Sequence, residues 1–113
     1  MLPSEYIDRN VFIGASNTKR RELGMRYEIG VGNICWGNDF PHPEGTFPYT
    51  RELVRRRFKD VPRDECRAIL GHNAVGLYGI DTAALAPLVE RIGPLVEDIH
   101  GETQLQEVPE DRD

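Results

Sequence analysis

Cysteine is scarce in this 113-residue chain: only Cys35 and Cys66 are present. They lack the close pairing of a metal knuckle and cannot staple a disulfide framework. Cys35 lies in an apolar run and Cys66 on a helical stripe, so both read as small buried hydrophobes in a reducing, cytoplasmic setting. No apolar run approaches the roughly 18 residues of a membrane helix. Residues 1–10 hold Glu5, Asp8 and Arg9 and no long apolar core, so no secretory segment is expected there. There is no internal repeat and no low-complexity tract. Cations are outnumbered, 14 against 19 acids. The local clusters Lys19-Arg20-Arg21 and Arg51, Arg55, Arg56, Arg57, Lys59 come without a recognition motif or a series of stacking aromatics. They read as solvated helix faces, and neither nucleic acid nor membrane is expected as a partner.

What the chain does have is alternation. Asn10–Ala15 is a short β-branched and aromatic run closed by small polar residues, and it reads as a buried strand. Residues 18–29 read as a helix stopped by Gly30 and Gly32, and Ile34–Gly37 as a second strand. A helix over Arg51–Lys59 places Val54, Phe58 and Val61 at i, i+4 and i+7. Pro62 suits the first turn of the next helix, with Asp64 and Glu65 at its positive end. In that helix Cys66, Ile69, Leu70, Asn73, Ala74 and Leu77 form an amphipathic stripe that ends at Gly79. Asn73, on the apolar face, is expected to hydrogen-bond nearby backbone.

Strands alternating with helices imply an α/β fold with parallel strands. Two parallel strands cannot cover their own faces or edges, so the sheet is expected to continue into a missing portion or another copy of the chain. Downstream, Asp81 can cap a helix from Thr82, which Pro87, Gly93 and Pro94 should keep short or broken. The chain thus divides into residues 1–80, a short helical extension over 81–100, and an acidic tail over 101–113. The tail holds Glu102, Glu107, Glu110, Asp111 and Asp113 against Arg112, most of the formal charge of −5, and is expected to be disordered.

The chemistry points to one boundary. The apolar run Ile34-Cys35-Trp36 stops at Gly37 and delivers Asp39 into a turn rich in Pro and Gly. An acid at the carboxyl end of a buried strand is where barrel enzymes keep reactive groups, although Asp also serves as an ordinary turn former. The stretch Trp36-Gly37-Asn38-Asp39-Phe40-Pro41-His42 resembles the W-G-S-D-[YF]-P-H signature of the amidohydrolase-2 family, which includes aminocarboxymuconate-semialdehyde decarboxylase. The likeness continues through Pro43-Glu44-Gly45-Thr46-Phe47-Pro48. It reaches Ile69-Leu70-Gly71-His72-Asn73-Ala74-Val75-Gly76-Leu77-Tyr78-Gly79, similar to the family's closing helix. Two positions depart from the pattern: Asn38 where Ser is usual, and Gly76 where Arg is frequent.

The resemblance implies a metal-dependent (β/α)8 barrel acting on a small carboxylate or aromatic substrate, by metal-activated hydrolysis or by decarboxylation. A closed barrel needs roughly 250 residues, so this chain would supply its C-terminal quarter and be incomplete alone. The resemblance makes Asp39 the catalytic acid and a ligand of a divalent metal, zinc by expectation, and places His42 against substrate or behind Asp39. The family's remaining ligands include a His-x-His pair that this sequence lacks; its three histidines are His42, His72 and His100. A functional zinc site needs at least three protein ligands. Asp39 and His42 supply two at most, and a Pro-bracketed loop need not bring them together. Glu44 reads more simply as a solvated acid, His72 as a surface residue, and His100 carries no signal. Stoichiometric metal is therefore not expected on this chain alone, which could equally be a non-catalytic relic or an interaction subunit.

Overall fold

Pro3 presets a helical φ, Glu5 faces the positive end of the turn and Arg9 the negative end, and Pro3–Asn10 forms the first helix, α1. The computed structural model of the chain describes residues 1–102 and 106–109. The helix displaces the expected strand Asn10–Ala15: Asn10 closes α1, and strand β1 is Ile13–Ser16. The helix expected over 18–29 is split at Met25 into α2 (Arg20–Gly24) and α3 (Arg26–Ile29). A single 3-10 turn then leads into strand β2, Ile34–Gly37.

The two strands pair in parallel, Ile13 opposite Ile34 and Ser16 opposite Gly37. Their burial is unequal. Ile34 and Cys35 are buried in β2, whereas three of the four β1 residues are exposed, Ile13 at 40%. The expectation of a buried first strand is corrected here, because an open cleft of about 450 Å3 bordered by Ile13, Ala15, Thr18 and Ile29 runs beside it. A lone parallel pair has no second layer to lay over such a face.

Helix α4 (Thr50–Phe58) and the residues after it bury Val54, Phe58 and Val61 at the expected spacing, against Leu23, Ile34 and Ile69. The next helical stretch is α5 (Arg63–Arg67), a π-helical segment Ala68–His72, and α6 (Asn73–Tyr78). In the π-helical segment the Asn73 N–H donates to the Ala68 carbonyl, five residues back. The stripe on this stretch is buried at Cys66 and Ile69, but Leu77 is 40% exposed. Asn73 Nδ2 donates to the carbonyls of Val31 at 2.7 Å and Ile34 at 2.8 Å, the backbone role expected for it. Arg26 pairs with Glu65 at 2.6 Å and the Tyr27 hydroxyl donates to the same carboxylate at 2.8 Å, tying α3 to α5.

The extension contains α7 (Thr82–Ile92) and α8 (Val96–His100). Asp81 caps α7 by accepting from the N–H groups of Ala83 and Ala84. The helix runs on through Pro87, which corrects the break expected there, and it ends at Gly93 and Pro94, where a stop was also expected. Of the acidic tail expected to be disordered, 103–105 and 110–113 lie outside the described residues, while Val108 is buried.

The reading of the α4 cations as a solvated face also needs correction. Arg51 donates to the Ile92 carbonyl at 2.9 Å, Arg55 donates to the Gly101 carbonyl, and Arg57 is only 4% exposed. These guanidiniums fasten the extension and the strand ends to α4.

Candidate functional site

Both strands release the chain at their carboxyl ends through a left-handed residue. Asn17 has φ 52° immediately after β1, and Asp39 has φ 62° two residues past β2. Asn and Asp tolerate this region better than other side-bearing residues. Asp39 turns the chain so that the segment up to Thr46 curls back on itself. The His42 N–H donates to the Asp39 carbonyl (2.9 Å), Gly45 to the His42 carbonyl (3.0 Å) and Thr46 to the Asn38 carbonyl (3.1 Å). Phe40–Pro41 and Phe47–Pro48 are cis, and the two phenylalanine rings meet edge to face, 5.1 Å between centroids.

Gly45 is required where it stands. A Cβ there would lie 2.8 Å from the Asn38 carbonyl oxygen and 3.0 Å from those of Asp39 and His42. The base of the loop is pinned by Asn38, whose Nδ2 donates to the hydroxyls of Thr46 (2.8 Å) and Thr50 (2.7 Å), themselves 3.1 Å apart. Asn38, where the resembling signature has Ser, thereby links the strand end to the first residue of α4.

The curl brings three donor side chains together. His42 Nδ1 lies 3.2 Å from Asp39 Oδ1, and ligand atoms of Asp39, His42 and Glu44 all fall within 4.8 Å of one another. Asp39 and His42 thus converge, which a Pro-bracketed loop did not guarantee, and Glu44, expected as a solvated acid, is exposed beside them. The Asp39 side chain is 26% exposed and that of His42 66%, and Glu44 is exposed. Two carboxylates and an imidazole are donor types that a divalent ion such as zinc accepts. Ligands about 2.1 Å from a tetrahedral ion sit roughly 3.4 Å apart, so the Asp39–His42 spacing of 3.2 Å already suits the group, with Glu44 within 4.8 Å of both. One face of the cluster is open to solvent. Further ligands would have to come from outside this loop.

The sequence reading missed the second support of the loop. Asn17 Nδ2 donates to the Glu44 carbonyl at 2.8 Å, and the buried Arg57 guanidinium donates to Asn17 Oδ1 and, at 3.3 Å, to the Thr18 carbonyl. The available signal was faint: one arginine at the same helical spacing as the buried Val54 and Phe58 face. His72 is exposed, while His100 is half-buried with its Nε2 3.1 Å from the Val61 carbonyl. A cleft of about 730 Å3 between α5–α6 and α7–α8, lined by Cys66, Leu70, Val75, Leu85, Val89 and Ile99 among others, shares no residue with the Asp39 loop.

Comparison with known proteins bears on residues 25–80, which match the family model described as amidohydrolase; this supports an amidohydrolase-family assignment. The matched segment contains α3, β2, the Asp39 loop and the helical stretch through Tyr78. No curated protein and no solved structure matches the chain. No helix of the described residues is long and apolar enough to cross a membrane.

Proposed function

We propose that this chain is the closing portion of an amidohydrolase-type (β/α)8 barrel, in which Asp39 serves a divalent metal centre acting on a small carboxylate or aromatic substrate. The observation that carries this reading is the position of Asp39. It stands just past the carboxyl end of a parallel strand, inside the segment that matches the amidohydrolase model, with His42 and Glu44 turned toward it. Catalytic groups of such barrels come from the carboxyl ends of strands.

Asp39 would hold the ion, with His42 and Glu44 available beside it. A divalent ion, zinc by the family resemblance, would supply a Lewis acid and would lower the pKa of water bound to it toward about 7. The chain's own contribution is to position and to move protons. The Asp39 carboxylate can accept a proton during hydrolysis, or return one to carbon in a decarboxylation of the aminocarboxymuconate-semialdehyde decarboxylase type. His42, largely exposed above the carboxylate, is placed to meet an anionic or aromatic substrate. The unpaired outer edges of β1 and β2 are where further strands of the barrel, from a missing portion or another copy, would pair, covering the exposed face of β1.

A second reading, a non-catalytic subunit that completes its sheet with a partner, is favoured by that same uncovered strand. Light scattering on the purified chain, with metal analysis of each species, separates the two. The enzyme reading expects that the chain, once joined by a partner supplying the missing strands and their ligands, holds one divalent ion per chain and loses it in Asp39→Asn. Completion of the sheet by such a partner without metal selects the non-catalytic subunit. A compact metal-free monomer overturns both.

A further inference from the structure

The Asp39 loop is attached to its own strand through Asn38, but its far side is attached to the other strand. Glu44 is the last member of the donor cluster, and its carbonyl accepts from Asn17, the first residue past β1. Asn17 is itself held: its Oδ1 accepts from Arg57 on α4, a guanidinium only 4% exposed that also donates to the Thr18 carbonyl at 3.3 Å. An amide has one donor face and one acceptor face. Here each face is used once, the acceptor toward the buried cation and the donor toward the loop. The Asn17 N–H continues the strand pairing by donating to the Gly37 carbonyl at 3.4 Å, so the bridging residue is registered against the strand that carries Asp39. The charge of Arg57 strengthens the first of these bonds, since hydrogen bonds from ionised donors are roughly twice as strong as neutral ones.

We infer that Asn17 is a positioning residue for the Asp39 site: anchored by buried Arg57, it fixes the Glu44 end of the loop and thereby holds His42 against Asp39. This rests on the functional reading given above, because a site at Asp39 is what the tether would serve. The tether itself is a property of the chain without metal. The informative variant is Asn17→Asp, which keeps an oxygen for Arg57 but replaces the donor to the Glu44 carbonyl with an acceptor.

The experiment is performed on the full chain in the presence of a chelator. Amide hydrogen exchange is followed at His42, Gly45 and Thr46, with Cys66 and Asn73 as reference, together with the side-chain Nδ1 resonance of His42. In Asn17→Asp the three loop amides are expected to exchange roughly five- to tenfold faster while the reference amides change less than about twofold. The His42 resonance is expected to move to its position in Asp39→Asn, the signature of a broken Asp39–His42 contact. Unchanged loop exchange, equal acceleration of loop and reference amides, or a His42 resonance that stays at its wild-type position overturns the assignment. Metal content does not enter this readout, so a failed metal centre and a failed tether are told apart.

Discussion

Gly45 shows how much of the site rests on single atoms. Three backbone oxygens converge within 3.0 Å of where its Cβ would be, and none can retreat without opening the curl that carries His42 and Glu44. Gly45→Ala is expected to cost about 1–3 kcal/mol in urea unfolding and to separate His42 from Asp39. Cys66 makes a different statement about burial. It is buried, and burial pushes its thiol up from 9.0 to about 11. The unfolded chain therefore releases this proton above pH 9 while the folded chain keeps it. The stability linked to the neutral thiol is intact below pH 9 and is lost as pH rises toward 11. The loss is about 3 kcal/mol at most. Urea midpoints between pH 8 and 10.5 should fall in the wild type and fall less in Cys66→Ala. The cysteine's burial was legible in the stripe that contains it. The convergence of Asp39, His42 and Glu44 was not, because it depends on the left-handed turn at Asp39 and the close approach at Gly45.

Elements here are joined by polar side chains at their ends as much as by apolar faces. The π-helical segment places Asn73 so that one amide group serves two carbonyls, Val31 and Ile34, and secures α6 to the start of β2. Asn73→Ala strips both partly buried acceptors. It should destabilise the chain by about 1–3 kcal/mol in denaturant unfolding, with Leu77 and Tyr78 freed before the core at Ile69. The amide's task could be read from its place on an apolar stripe, since a buried amide needs partners. Arg57 could not be read the same way. It sits among Arg55, Arg56 and Lys59, and composition alone assigns all of them to solvent. Only the packing of α4 against the strand ends puts that one guanidinium under the chain. Pro87 is the converse case: its local rule forecast a broken helix, yet α7 continues through it.

At the scale of the whole molecule the chain is looser than its length requires. Its radius of gyration is 14.8 Å, against about 13 Å for a compact domain of this size. Met1, Leu2, Tyr6, Ile7, Val11, Phe12 and Ile13 are all at least 40% exposed, and so are Leu88, Val89 and Ile92 of α7. Apolar surface of this extent favours association. Light scattering is expected to show self-association that rises with concentration, or a defined complex, and Ile13→Lys on the uncovered strand should weaken it. By itself the sequence determined the strand–helix alternation, the parallel pairing, the amphipathic helices and the acid at a strand's carboxyl end. Each of these follows from short-range periodicity and from turn chemistry that neighbouring residues encode. The tertiary structure alone decided which strand is covered, which cation is buried, and that Asn17 and Glu44 meet across 27 residues. Those outcomes depend on contacts between segments whose local sequences carry no record of one another.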